Sequence, residues 1–73
     1  MTKLEKMQAI AEILEVEPDE ISEEMKLDDF DTWDSVAVLG VIAFINEQFS
    51  RFPHASEIRA YETVGDLLEY MNE

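Results

Sequence analysis

Cysteine is absent from this chain, and proline, glycine and histidine are rare. Without a thiol, the protein can form no disulfide and has no thiolate of its own to act as a nucleophile, a metal ligand or an acyl carrier. Any thioester chemistry in which it takes part therefore needs a thiol that another molecule supplies. At 73 residues the chain can bury one modest core, so we expect a single domain over residues 1–73 without a deep, enclosed active site.

Basic residues are scarce as well, with five Lys and Arg against 18 Asp and Glu and a formal net charge of −13. This charge repels the phosphates of nucleic acids and anionic lipids, so we expect neither as a partner. It favours partner proteins that carry basic patches. Because 47% of the residues are hydrophobic, the chain should fold in spite of its charge.

Long apolar segments are missing too. The longest run, residues 36–45, has about 10 residues, whereas a helix needs roughly 20 to cross a bilayer. The first five residues lack the apolar core of a signal peptide. From these absences we expect a cytoplasmic monomer that does not insert into membranes.

The first predicted helix extends from Thr2 to Glu15. Thr2 and Glu5 have the spacing of a capping box, in which each side chain accepts a hydrogen bond from the backbone of the other residue. Apolar residues then recur every three or four positions, as in an amphipathic helix with one buried face. These residues are Leu4, Met7, Ile10, Ala11 and Leu14. Pro18 breaks the pattern.

A long acidic segment, residues 17–34, follows the first helix. Its scattered apolar residues have no steady period, so we interpret it as a mostly irregular loop that these residues fix to the core. They are Ile21, Met25, Leu27 and Phe30. Long ordered loops in small domains are often functional, and this one leads directly to Ser35.

An unusually apolar second helix is predicted from Ser35 to Phe49. Its core-facing stripe, at helical spacing, comprises Val38, Val41, Ile42, Ile45 and Phe49. Its outer face comprises Val36, Leu39, Gly40, Ala43, Asn46 and Glu47. Because most of the outer face is apolar or small, we expect something to dock there.

Gly40 lies in the middle of this helix, where glycine costs about 1 kcal/mol relative to alanine. Its presence indicates that another group approaches the helix backbone closely. That group is either a docking partner or a neighbouring helix, and the sequence leaves both interpretations open.

Two shorter helical segments are predicted in the remainder of the chain. Residues 50–54 form a turn, after which Ser56 is expected to cap a short helical turn that runs towards Tyr61. Thr63 and Asp66 form a second cap-like pair before a final helix that reaches the C-terminus. Its apolar residues are Val64, Leu67, Leu68 and Met71. The predicted fold is therefore all-α, a small four-helix bundle with a long loop between helices one and two.

Two common kinds of site fit the sequence poorly. A serine hydrolase needs a base beside its nucleophile, but the single histidine, His54, follows a proline in a turn, and no glycine-flanked nucleophile elbow surrounds Ser35. The loop aspartates suggest calcium, yet starting a calcium loop at any of them places neither glycine sixth nor glutamate twelfth. Weak binding of divalent cations to the acidic loop remains open.

The pair Asp34-Ser35 opens the second predicted helix. The N-terminus of a helix has unpaired N–H groups and the positive end of the helix dipole, and both favour a covalently attached phosphate. Ser35 is therefore the candidate anchor of a phosphate-linked prosthetic group.

The length, the acidity and the helix order, together with the Asp-Ser pair, resemble the acyl carrier proteins and the related peptidyl carrier proteins. The resemblance covers essentially the whole chain. Its centre is Asp34-Ser35-Val36, and it is supported by Leu27-Asp28-Asp29-Phe30, Asn46-Glu47-Gln48-Phe49 and Thr63-Val64-Gly65-Asp66-Leu67-Leu68.

The resemblance implies that a separate phosphopantetheinyl transferase uses coenzyme A to attach 4′-phosphopantetheine to Ser35, next to Asp34. The thiol of this arm would carry an acyl or aminoacyl group as a thioester, and the carrier itself would catalyse nothing. Its partners would be the transferase and the enzymes that load and transfer the acyl group. In this family the bundle interior can also shelter the acyl chain.

Thr32 and Val36 depart from the fatty-acid type of carrier, which usually has glycine and leucine at these positions. We therefore expect a specialised lipid or secondary-metabolite pathway and not housekeeping fatty acid synthesis. The second helix is also less acidic than is typical of the family. Our hypothesis is that Asp28, Asp29, Asp31 and Asp34 steer partners with basic or mixed basic and apolar patches. The expected contact residues are Trp33, Val36, Leu39, Gly40, Ala43 and Glu47.

Alternative interpretations stay open at this point. Trp33 contacts the arm or a partner, or it simply fixes the loop to the bundle. The chain as a whole could be a carrier-like fold that lost its modification and serves as an acidic docking module. It could also be an unrelated acidic helical protein that inhibits a basic enzyme. Both of these alternatives predict that Ser35 is dispensable.

Overall fold

Residues 2–71 are described in the computed structural model, and they form four α-helices without a β-strand. The helices are α1 (Lys3–Ile13), α2 (Ser35–Phe49), α3 (Ala55–Arg59) and α4 (Val64–Tyr70). The long connection between α1 and α2 contains two 3₁₀ turns, Pro18–Glu20 and Leu27–Asp29. The prediction of an all-α bundle with a long first loop is confirmed.

The predicted capping box begins α1. The backbone N–H of Glu5 donates to Thr2 Oγ1 at 3.2 Å, and the backbone N–H of Thr2 donates to Glu5 Oε1 at 3.0 Å. Leu4, however, was wrongly assigned to the buried face, because 65% of its surface is exposed. It lies in the first turn of α1, before the buried residues of that helix, which are Lys6, Ile10 and Ala11.

The end of α1 comes two residues earlier than predicted. Glu15 adopts the left-handed conformation (φ 61°), and its N–H donates to the carbonyl of Glu12 at 3.1 Å. The N–H of Val16 donates to the carbonyl of Ala11 at 2.9 Å. These two bonds form a Schellman motif, which closes the helix. Glycine usually occupies the left-handed position of this motif, so the sequence contains no clear signal for it.

One hydrophobic core lies between the helices, with α2 packed against α1 and α3 and with α4 packed against α1. Its buried residues are Ile10, Ala11, Leu14, Ile21, Leu27, Ala37, Val38, Val41, Ile45, Ile58, Val64, Leu67, Leu68 and Met71. Ala37 was not predicted in the α2 stripe. Ile42 and Phe49 were, and they lie half-buried at the margin of the core.

Gly40 lies where α2 meets α1. A Cβ atom at this position would lie 3.3 Å from Cγ2 of Ile13, which is closer than an ordinary contact between carbon atoms. Of the two interpretations of this glycine, close packing by a neighbouring helix is therefore the one that the structure supports.

Three of the four predicted anchors hold the long loop. Ile21 and Leu27 are buried, and Phe30 is half-buried against the core. Met25 was wrongly included, because its side chain is 39% exposed. Its backbone carbonyl takes part instead, accepting a hydrogen bond from the N–H of Val64 at 3.0 Å.

Backbone hydrogen bonds thus join the middle of the loop to the start of α4. Lys26 and Thr63 form an isolated antiparallel bridge. The bonds beside it run from Leu27 N–H to Glu62 O (2.8 Å), from Val64 N–H to Met25 O (3.0 Å) and from Gly65 N–H to Glu23 O (2.9 Å). They hold the loop to α4 in addition to its buried side chains.

The segment before α3 differs in one detail from the prediction. Ser56 lies inside α3, and His54, which is exposed, occupies the N-cap position without a side-chain hydrogen bond. The capping box of Thr63 and Asp66 at α4 is confirmed. Within residues 2–71 that helix ends at Tyr70, and the rest of the predicted C-terminal extension lies outside the described residues. None of the helices in this part of the chain has the length and apolarity needed to cross a bilayer.

Candidate functional site

Asp34 determines where α2 begins. Its carboxylate oxygen Oδ1 accepts the N–H of Ala37 at 3.0 Å, and its carbonyl accepts the N–H of Val38 at 3.0 Å. An aspartate at the N-cap satisfies one of the unpaired N–H groups of the first turn. Ser35 therefore becomes the first helical residue, with its side chain exposed at the positive end of a helix of 15 residues.

Arg59 is the one side chain that hydrogen-bonds to Ser35 within the described part of the chain. Its Nη2 donates to Ser35 Oγ at 2.9 Å, across 24 positions of sequence. Arg59 was not among the site residues predicted from the sequence. The available signal was that Arg59 is one of only five basic residues, but the contact depends on how α3 is placed against α2.

Thr32 and Trp33, the loop residues that precede Asp34 and Ser35, each form contacts that hold the loop in place. Thr32 Oγ1 donates to the carbonyl of Leu14 at 2.6 Å, which ties the loop to the end of α1. The backbone N–H of Trp33 donates to the carbonyl of Phe30 at 3.0 Å, and the indole is half-buried against the core. These contacts support the interpretation of Trp33 as a residue that fixes the loop. The hydrogen bond from Thr32 to Leu14 requires a side chain, so glycine, which is usual at this position in the fatty-acid type of carrier, could not form it.

The residues suggested for partner contact differ in exposure. Val36 is 76% exposed and Leu39 is 61% exposed, and both lie on α2 just after Ser35. Exposed residues elsewhere in the suggested set are Asp28, Asp29, Asp31, Ala43 and Glu47. Gly40 and Trp33 are half-buried. Asn46, from the predicted outer face, is also half-buried, and its side-chain amide donates to the carbonyl of Arg51 in the turn after α2.

The carboxylates of the loop do not form a cation cage. Among residues 2–71, no group of three or more Asp, Glu or His side chains converges closely enough to hold a metal ion. Asp34 is engaged with the first turn of α2. Asp28, Asp29 and Asp31 are exposed at the surface.

Fold and site together define a small helical carrier domain, in which a serine is presented at the N-terminus of the second helix. A family model described as "Phosphopantetheine attachment site" matches residues 7–71, which is nearly the whole chain. The chain belongs to this family, and it is an acyl or peptidyl carrier domain of the kind that carries covalent 4′-phosphopantetheine. No curated protein and no solved structure matches it.

The geometry around Ser35 fits a phosphate-linked group. The hydroxyl is exposed, it lies at a helix N-terminus, and an arginine already donates to its oxygen. A phosphodiester carries one negative charge, which both the helix dipole and a guanidinium favour. Carrier domains of this family are generally not catalytic.

Proposed function

We propose that Ser35 is the attachment residue for 4′-phosphopantetheine and that residues 1–73 act as one carrier domain for an acyl or aminoacyl group. The observation that supports this proposal most strongly is the Asp34 cap, which makes Ser35 the exposed first residue of α2. An unmodified acidic docking or inhibitor module was the alternative. Membership of the phosphopantetheine family favours the carrier.

The chain contributes an oxygen nucleophile and a place for negative charge. In the modification, Ser35 Oγ bonds to the phosphorus of coenzyme A next to pantetheine, the pyrophosphate P–O bond breaks, and the nucleotide half leaves with the electron pair. Among residues 2–71 the side chain that hydrogen-bonds to Ser35 Oγ is that of Arg59, which is a donor and not a base, so the serine proton passes to a base of the transferase. The bound group supplies the thiol for thioester carriage. We propose that the carrier catalyses no step itself and that it functions in the cytoplasm, where coenzyme A is available.

Intact mass is the direct test of the Ser35 assignment. We expect the protein to gain one phosphopantetheine on incubation with coenzyme A, magnesium and a broad-specificity phosphopantetheinyl transferase. Ser35→Ala should gain nothing, and Ser56→Ala, which removes an exposed hydroxyl from α3, should react like the wild type. A gain in Ser35→Ala would show that another serine is modified. No gain on folded wild type would favour the docking module.

Partner recognition is proposed to use the acidic loop for attraction and the start of α2 for contact. Asp28, Asp29 and Asp31 are exposed and raise the association rate of basic partners through long-range attraction. The proposed contact residues, all of them exposed, are Val36, Leu39, Ala43 and Glu47, with Asp34 at the margin. The partners are the transferase and the enzymes that load and transfer the acyl group.

Leu39→Asp tests the apolar part of this surface. Loss of an apolar interface side chain costs on the order of 1 kcal/mol, so we expect kcat/KM for modification to fall roughly fivefold or more. Leu4→Asp is the matched control, because Leu4 is similarly exposed (65% against 61%) and lies on α1. Equal rates for the two variants, with both folded by circular dichroism, would contradict an apolar contact at Leu39.

A specialised pathway is proposed because Thr32 and Val36 differ from the fatty-acid type of carrier, and Thr32 has a contact of its own with Leu14. The neighbouring genes provide a simple test. We expect them to encode loading or transfer enzymes of a dedicated pathway. A complete set of genes for fatty acid synthesis, with no other carrier in the genome, would contradict this proposal.

A further inference from the structure

Arg59 differs from the other basic residues of this acidic chain in what its side chain contacts. Three of them have partners away from the candidate site. These contacts are Lys3 with the carboxylate of Glu23, Lys6 with the ring of Phe49, and Arg51 with the ring of Tyr70. Lys26 is exposed in the long loop, where its backbone bridges to Thr63. Arg59 alone is described in contact with Ser35.

The fold fixes the position of Arg59. Its neighbour Ile58 is fully buried, which anchors α3 in the core, and α3 packs against α2. Arg59 is the last residue of α3, where the negative end of the helix dipole favours a cation. Core packing therefore places the backbone of Arg59 near Ser35, and the guanidinium itself is exposed.

The partner of Arg59 is unusual for this chain. There are 18 acidic residues, yet within residues 2–71 no carboxylate lies within 4.0 Å of the Arg59 guanidinium. It donates to a neutral hydroxyl instead. A guanidinium has five N–H donors in a planar fork, and that fork matches the paired oxygens of a phosphate. The hydroxyl uses only part of this capacity.

Modification of Ser35 places a new negative charge beside Asp34 on a protein whose net charge is already −13. The charged oxygens of a phosphodiester are bonded to the same phosphorus as Oγ. They therefore come within reach of a donor that already lies 2.9 Å from Oγ. A charge-assisted hydrogen bond is shorter and stronger than one between neutral groups.

We propose that Arg59 is the phosphate-binding residue of the modified carrier, and that it holds the base of the prosthetic arm on the side of α3. This inference rests on the proposed modification of Ser35. In the unmodified protein the guanidinium occupies the same position and donates to Oγ. Modification exchanges a neutral acceptor for an anionic one without a change in the position of α3.

The composition of the chain allows a direct spectroscopic test. Arg51 and Arg59 are the only arginines, so the Nε–H region of a proton–nitrogen NMR spectrum contains two side-chain signals, which Arg59→Gln assigns. On complete modification, confirmed by mass, we expect the Arg59 signal to shift and its exchange with water to slow. The Arg51 signal is the internal control and should stay nearly unchanged, since Arg51 contacts Tyr70.

Phosphorus NMR gives the complementary test on the modified protein. We expect the phosphodiester signal of Arg59→Gln to differ from that of the wild type and Arg59→Lys to lie between them, because lysine keeps the charge but not the planar fork. Lys26→Gln removes the same charge from the loop and should leave the signal at its wild-type position. Added salt should move the wild-type signal towards that of Arg59→Gln.

Intact mass tests the modification of Ser35, and the NMR signals test the role of Arg59, so the two proposals can fail separately. A modified protein whose Arg59 Nε–H signal does not shift, and whose phosphorus signal is the same in wild type and Arg59→Gln, would overturn the role of Arg59 while the carrier function stands. A protein that gains no mass would overturn the assignment of Ser35. Equal phosphorus shifts in Arg59→Gln and Lys26→Gln would indicate a general charge effect and would also contradict the proposal.

Discussion

Single carboxylates in this protein contribute to stability through the helix ends that they cap. The carboxylate of Asp66 accepts the N–H groups of Thr63 and Glu62, each at 3.1 Å, and these bonds hold its pKa below the ordinary value of 3.8. The pKa of Glu5 is lowered in the same way by hydrogen bonds from the backbone and side chain of Thr2. In both cases the folded protein favours the charged form.

Asp66→Asn tests this effect through the pH dependence of stability. Because the folded pKa is depressed, the charged carboxylate stabilises the fold above the unfolded pKa, near 3.8, and the contribution is lost as pH falls through the lower folded pKa. We expect wild type to be more stable than Asp66→Asn at neutral pH and the difference to shrink below about pH 4.

Urea unfolding at a series of pH values measures this difference. Asp28→Asn is the control for net charge, because Asp28 is exposed in the loop and lacks a capping hydrogen bond to α4. A difference between wild type and Asp66→Asn that stays constant, or that grows as pH falls, would contradict the capping account.

At the scale of the elements, the contact between α1 and α2 depends on a glycine. Alanine at position 40 would raise the helix propensity of α2, by about 1 kcal/mol in an exposed helix. Its methyl group would, however, lie 3.3 Å from Cγ2 of Ile13 and force that side chain to move. The two effects oppose each other, so the net change in the free energy of unfolding depends on how far Ile13 of α1 can move.

A double-mutant cycle separates the two effects. We expect Gly40→Ala alone to change the free energy of unfolding by less than about 1 kcal/mol, and to stabilise by about that amount when Ile13→Ala has removed the close contact. Chemical denaturation of the four proteins gives the coupling energy. An additive cycle would show that Ile13 does not oppose a side chain at position 40.

The helix ends show how far local sequence predicts an element. Side-chain caps were predicted because their hydrogen bonds join residues three positions apart, as with Thr2 and Glu5. The Schellman motif at the end of α1 was not predicted, because its hydrogen bonds join backbone groups and its left-handed residue is Glu15 in place of the usual glycine. The N-cap of α3 was also missed, since His54 caps without a side-chain bond.

The charge of the whole molecule opposes folding. The chain has a net charge of −13, and the longest dimension of the fold is 28 Å. At about 0.01 M salt the Debye length is roughly 30 Å, so carboxylates repel one another across the entire protein. At about 0.15 M salt it is roughly 8 Å, and repulsion is limited to near neighbours.

We therefore expect the free energy of unfolding to rise when NaCl is raised from about 0.01 M to about 0.15 M. Urea is the suitable denaturant because it is uncharged. The double variant Asp19→Asn with Glu24→Gln, which neutralises two exposed loop carboxylates, should be less sensitive to salt. A wild type that is insensitive to salt, or that is destabilised by it, would contradict a dominant role of repulsion.

The properties that depend on composition and on short spacing are predictable from the amino-acid sequence. The helical periods, the side-chain caps of α1 and α4, the Asp34-Ser35 opening of α2 and the resemblance to carrier proteins all depend on residues close together in the chain. Three other features depend on the folded chain: α1 packs closely against Gly40, the backbone carbonyls of Glu23 and Met25 bind the loop to α4, and Arg59 lies beside Ser35. These contacts join residues from 24 positions apart (Ser35 and Arg59) to 42 positions apart (Glu23 and Gly65), and core packing brings them together in a way that no local pattern encodes.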